Sequence, residues 1–240
     1  MRIAVDTHTH SVASSHAYST VTELAQAAFE RGLAGFVLTD HGPSMPGESH
    51  PWHFGNLRVI PSTLRGVRFF KGIEANILAG GELDLGGELA RLDFILAGFH
   101  DVSFAPRSRA ENTATLVAAL ANPWTAAISH PGNPAFPIDF ETVVEAARVH
   151  GKALEINNSS FVVRHGCYDN CLAIARLCAQ TGTRMVVGSD AHFHGDVGNF
   201  TTALELLDTV GASEALVINA TLERFEAFVA ERKAAWPARA

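Results

Sequence analysis

The sequence predicts an α/β fold, a closed or nearly closed parallel barrel of seven β/α units of the TIM-like kind. Three observations predict it. Short apolar runs alternate with segments of helical spacing. The runs end near residues 7, 39, 73, 98, 128, 156 and 188, at about thirty-residue intervals, the spacing of β/α units. Seven such units in 240 residues suggest closure, with an open doubly wound sheet as the alternative, and the absence of a glycine-rich phosphate loop after the first run argues against nucleotide-cofactor chemistry.

The elements follow in order. Ile3–Thr7 reads as the first buried strand, and Leu24, Ala27, Ala28 and Arg31 carry helical spacing through Thr22–Arg31, stopped by Gly32. Ala34–Thr39 is the second strand. From Pro43 to Pro61 the chain is rich in Pro, Gly, Ser and His without a period, which reads as a long functional loop or lid. Further strands are expected at Val67–Ile73, Asp93–Gly98, Thr125–Ser129, Ala153–Ile156 and Met185–Gly188. Helices are expected over Glu111–Ala121, Phe140–His150, Tyr168–Thr181, Thr201–Thr209 and Leu222–Ala235. Leu222, Phe225 and Val229 form a stripe that is core or subunit contact, and Trp236 to Ala240 reads as a frayed tail.

Composition narrows the function classes. At 240 residues and 47% hydrophobic content the chain has the length of one domain and enough apolar surface for a core. A net charge of −7 gives no basic field for a phosphate backbone, so nucleic acid is a poor partner. Three cysteines are too few for a disulfide scaffold and suit a reducing cytoplasm. No signal-peptide stretch precedes Asp6, and no apolar run approaches the roughly 20 residues of a membrane helix.

The histidines carry the chemistry. In such barrels the active site is built on loops leaving the C-terminal ends of the strands. His8, His10 and His16 follow the first strand, Asp40 and His41 the second, Glu74 the third, His100 the fourth, His130 the fifth, and Asp190 and His192 the seventh. Of 12 histidines, only His150 and His165 lie well away from strand ends or the adjoining loops. His8 and His10 share a face if the chain stays extended. Nine nitrogen and oxygen ligands exceed the need of one ion, so two or three ions are implied, with Glu74 able to bridge a pair. The lack of thiolates favours an open catalytic site over a structural zinc cage.

The runs Asp6-Thr7-His8-Thr9-His10, Thr39-Asp40-His41-Gly42, Gly72-Ile73-Glu74, Gly98-Phe99-His100, Ser129-His130-Pro131 and Gly188-Ser189-Asp190-Ala191-His192 together resemble the PHP (polymerase and histidinol phosphatase) superfamily. Length and loop pattern, including Pro51-Trp52-His53-Phe54, resemble the stand-alone YcdX-like phosphatases most. The resemblance implies a distorted TIM-like barrel in a single domain and a trinuclear site, usually zinc, sometimes manganese or iron. It assigns His8, His10, Glu74 and Asp190 to the first ion, Glu74, His100 and His130 to the second, and His16, His41 and His192 to the third. The reaction expected is hydrolysis of a small phosphate monoester by a hydroxide bridging the first two ions, with the third ion holding a phosphate oxygen. A homotrimer fits the nearest members.

Glu74, Asp190, His192 and Asp40 are the candidate catalytic residues. Asp6 and Asp40 are read as carboxylates that orient metal-bound imidazoles, with turn formation as the alternative for Asp40 and protonation of the leaving alkoxide as the alternative for either. His53, Asn157 and Arg164 are candidate substrate contacts, because amide and guanidinium donors suit phosphate oxygens. Trp52 and Phe54 either exclude water from a closed site or anchor the loop. Cys167, Cys171 and Cys178 read as buried free thiols on one helix face. Competing functions are a 3′-exonuclease or phosphodiesterase, an amidohydrolase-like C–N hydrolase, and a non-catalytic metal-stabilised module.

Overall fold

The computed structural model describes residues 1–47 and 49–237. Seven strands, β1 (Val5–Thr9), β2 (Gly35–Leu38), β4 (Val67–Asn76), β5 (Phe94–Gly98), β6 (Ala127–Ile128), β7 (Ala153–Asn157) and β8 (Arg184–Gly188), pair in parallel in that order. A two-residue strand, β3 (Thr63–Leu64), adds antiparallel to β4. Helices α1 (Val21–Glu30), α3 (Arg109–Ala121), α4 (Phe140–Val149), α6 (Cys167–Thr181), α7 (Thr201–Thr209) and α8 (Leu222–Ala234) match the expected ones to within two residues. Their ends follow local chemistry. Thr20 and Glu23 form a capping box on α1, and Ser108 and Glu111 form one that starts α3 two residues earlier than periodicity alone places it.

The expected long loop is partly ordered. It holds α2 (Pro51–Asn56), capped by the His50 ring, then a 3-10 turn over Leu57–Val59 and the small hairpin of β3 with β4. Phe54 and Leu57, three residues apart, are buried and pin this segment to the barrel. Six residues make fewer than two helical turns, too short for a period to show in sequence. Trp52 is 81% exposed and does not seal the site. A second short helix, α5 (Ser160–Val163), follows β7. Trp236, expected in a frayed tail, packs on Trp124 with ring centroids 5.3 Å apart; residues 238–240 of that tail lie outside the described residues.

Alternation along the strands divides the barrel. Ile95, Ala97, Leu154, Ile156, Met185 and Val187 face the surrounding helices, while Val5, Val37, Phe70, Phe94, Leu96, Ala153 and Val186 fill the interior at the N-terminal ends. The stripe on α8 closes that end: Phe225 meets Phe70 edge-on at 4.9 Å and Phe94 at 5.3 Å. The stripe is therefore core. No helix among the described residues is long and apolar enough to cross a membrane.

Seven strands leave the ring short of closing, and Asn219 fills the gap. Its side-chain amide donates to Val5 O (2.8 Å) and Val187 O (2.7 Å) and accepts from Val187 N (3.0 Å), while its own carbonyl accepts from Ala4 N and Val5 N. Nearer the other end, Thr7 Oγ1 donates to Val187 O and Thr9 bridges Ala191. One buried side chain thus replaces part of an eighth strand. Replacing it by leucine leaves several strand groups unsatisfied at about 1–3 kcal/mol each; Asn219→Leu is expected to lower the unfolding free energy by about 3 kcal/mol in a urea titration, with little change in slope.

Candidate active site

The C-terminal strand ends meet around the carboxylate of Glu74, on β4 and 1% exposed. Its Oε2 lies 3.0 Å from His41 Nδ1, 3.2 Å from His8 Nε2 and 3.6 Å from His10 Nε2; its Oε1 lies 2.9 Å from His130 Nε2 and 3.4 Å from His100 Nε2. Asp190 Oδ1 stands 3.3 Å from both His8 Nε2 and His10 Nε2 and 3.5 Å from His192 Nδ1. His192 and His16 approach to 2.9 Å between Nε2 atoms, and His16 stacks on His41. All nine expected ligand residues are thus in one cluster.

Local backbone devices bring them there. His8 lies within β1, which runs two residues beyond the expected end, and His10 just after it. Val5 faces the barrel interior and so does His8, although an odd offset reverses faces in a regular strand. The irregular register between Asp6 and Thr9 supplies the change of phase. His130 and Asp190 reach inward from left-handed backbone, φ 35° and 57°, a conformation costing a non-glycine residue about 1–2 kcal/mol. At Gly188 a Cβ would overlap the Glu155 carboxylate and the His8 side chain, so only glycine lets β8 run this close.

The donors fit divalent ions. The Nε2 atoms of His8, His10 and His100 are buried and make no hydrogen bond, although carboxylate oxygens lie 3.2 to 3.6 Å away. Buried ring nitrogens converging on carboxylates without a hydrogen-bond partner are what a cation would satisfy. Among the described residues, three sets have donor atoms within 4.8 Å of one another: His8, His10 and Glu74; His41, Glu74 and His100; His10, His41 and His192. His10, His41 and Glu74 each belong to two sets, so the shells interpenetrate.

Charge in the metal-free cluster is shared. Burial pushes Glu74 and Asp190 up, but the neighbouring imidazoles, with Arg164 for Asp190, hold both carboxyls well below the usual range. His8 is buried too, yet Glu155, Asp190 and Glu74 raise it well above an ordinary histidine. Burial lowers His130 to about 4, helped by Arg164, and lowers His10 well below its ordinary value, helped by His192 and His41. The protein therefore keeps a proton on His8 where a divalent ion would compete for the same carboxylates.

The supporting residues differ from those expected. Asp6 orients no imidazole: its carboxylate accepts from the backbone N–H groups of His8, Ser189 and Gly198 and ties β1 to the β8 loop. Asp40 orients none of the expected ligand imidazoles. It accepts from Ser11 N (2.7 Å) and Oγ (2.8 Å), Ser14 Oγ (2.9 Å) and His53 Nε2 (3.0 Å), so its buried oxygens are engaged by the loop and by His53. Asn157 is fully buried, with its amide on Glu155 and Asp190 and its carbonyl oxygen accepting from Ser160. Arg164 does reach the cluster, with Nη1 3.5 Å from Asp190 Oδ2. The three cysteines are buried free thiols, and burial pushes Cys178 up to about 12.

A probable phosphatase of Acetivibrio thermocellus is 49% identical to this chain over 97% of its length and 98% of the relative's. The chain belongs to the PHP family. A probable phosphatase of Thermoanaerobacter sp. strain X514 is 46% identical, covering 97% of each chain, and a family model described as PHP-associated matches residues 170–224. The crystal structure of histidinol phosphate phosphatase from Lactococcus lactis, complexed with Zn, L-histidinol and phosphate, shares the fold. It has a TM-score of 0.65 at 15% identity, over 89% of this chain and 95% of that one.

Within this PHP barrel the orienting residues are ones that strand-end reading passes over. Glu155 holds His8 Nδ1 at 2.7 Å and accepts from His130 N at 2.9 Å, and Asn76 holds His100 Nδ1 at 2.7 Å. Glu155 sits inside β7, and Asn76 is the last residue of β4. The available signal was a carboxylate in the apolar run Ala153-Leu154-Glu155-Ile156, since a buried charge needs partners.

A pH dependence follows for the metal-free protein. His130 and His10 stay neutral when folded but bind protons near 6.5 when unfolded, so stability falls as pH drops from 6.5 toward 4. His8, raised, is protonated when folded; it opposes this trend only near 6.5, where the unfolded imidazole is half protonated, and adds nothing to the slope lower in the window. Glu74 and Asp190, depressed, withdraw stability as pH falls through their range. The melting temperature of chelator-treated protein is expected to rise between pH 4 and 6.5, and a flat profile would contradict these environments.

Proposed function

We propose that the chain is a metal-dependent phosphatase that hydrolyses a small phosphate monoester. The observation that carries the reading is the convergence of seven imidazoles and two carboxylates around Glu74, with buried ring nitrogens that lack hydrogen-bond partners. Near full-length relatives named probable phosphatases support it, as does a fold neighbour solved with Zn and phosphate.

The ligands proposed are His8, His10, Glu74 and Asp190 for one ion, Glu74, His100 and His130 for a second, and His16, His41 and His192 for a third. Zinc, manganese or iron(II) suits this nitrogen and oxygen set. When bound, such ions lower the pKa of water to supply a nucleophile and stabilise charge on phosphoryl oxygens. The chain's own residues do the rest. Glu74 and Asp190 stay ionised, Glu155 and Asn76 fix the rings of His8 and His100, and Arg164 offers guanidinium donors to a phosphate beside Asp190. Asp40 acts through position, fixing the Ser11–Ser14 loop and His53.

Metal-loaded protein is expected to release inorganic phosphate from p-nitrophenyl phosphate; no turnover with zinc, manganese or iron would overturn the reading. Glu74→Gln should lower kcat/KM by about a thousandfold, because the group it removes touches both halves of the cluster. Arg164→Ala should raise KM about tenfold with kcat changed less, the signature of lost ground-state phosphate binding.

A further inference from the structure

A cavity of about 750 Å³ is formed by α2, the 3-10 turn after it, the 3-10 segment Gly87–Arg91 and the start of α1. Its size is that of a ligand site. Trp52, Leu57 and Ile60 give it apolar walls, and Arg58, Arg91 and Glu88 give it charge. Neither arginine makes an ion pair or a side-chain hydrogen bond among the described residues, with Glu88 or with any other carboxylate. By contrast Arg107, Arg109, Arg148, Arg184 and Arg224 each pair with an acid.

One contact leads from this cavity toward the cluster. His53 lines the cavity and places Nε2 3.0 Å from Asp40, which precedes His41 in the chain. Arg91 Nη1 lies 3.2 Å from where a Cβ on Gly55 would stand, so the guanidinium packs closely against α2.

We propose that this cavity receives the leaving group of the substrate, an apolar or aromatic body carrying a second acidic group that Arg58 and Arg91 bind. The inference rests on the phosphatase reading for the first anionic group. Guanidinium groups without partners above apolar walls favour an anion with an apolar stem, and Glu88 makes the net preference depend on both arginines.

The test uses aryl phosphates with a para carboxylate on arms of zero to two methylenes, each compared with its carboxamide. At least one carboxylate should exceed its carboxamide about tenfold in kcat/KM, chiefly through KM, and the ratio should fall to about one in Arg58→Gln/Arg91→Gln. Isothermal titration of metal-free protein with the free phenolic acid should show binding that weakens about tenfold in the same variant. A ratio near one in the wild type, or one that survives the double variant, overturns the proposal. So does sedimentation showing an oligomer that Trp52→Ala dissociates while the ratio stays at one, because the cavity is then a subunit contact. If no ester is hydrolysed yet the phenolic acid binds through the arginines, the phosphatase reading falls and the acid site stands.

Discussion

Two carboxylates sealed inside the barrel mouth set the terms for the rest of the structure. Glu74 and Glu155 are each 1% exposed, and an ionised carboxyl cannot sit there without partners. The partners are imidazoles drawn from the ends of nearly every strand. The barrel positions the rings, and the rings in turn make the buried charge tolerable. Removing a carboxylate or the protonated His8 leaves the opposite charge uncompensated, so these members depend on one another.

The fold meets that demand by departing from regularity at a few points. An irregular register turns β1 so that Val5 packs below and His8 points into the mouth above. Left-handed backbone at His130 and Asp190 carries those side chains inward. The ring itself is completed by the side chain of Asn219 instead of an eighth strand. Each irregularity lies beside the cluster or at the seam next to it, while the helix-facing layer is ordinary aliphatic packing.

Around the cluster, polarity changes with depth. Glu155, Asn157 and Asn76 are buried and bond to one another, to ring nitrogens or to backbone. Arg164 and His53 are partly exposed, with one edge on the cluster side. Beyond His53 lies the cavity with Arg58 and Arg91. The deep layer fixes geometry, and the outer layer is where an incoming molecule meets the protein.

The alternation of apolar runs with helical segments determined the β/α order, because burial on both faces of a parallel strand leaves a signature in the chain. The histidines after those runs determined the cluster's membership, because C-terminal strand ends meet at one mouth whatever the loops between them do. Membership was local information; partnership was not. Which carboxylate orients which imidazole depends on distances across strands more than a hundred residues apart, as between His8 and Glu155. For the same reason Asp6 and Asp40, beside ligands in sequence, bond to backbone and loop hydroxyls instead. Asn219, Asn157 and the short α2 were legible only once tertiary packing had decided what each polar group and each half-turn would face.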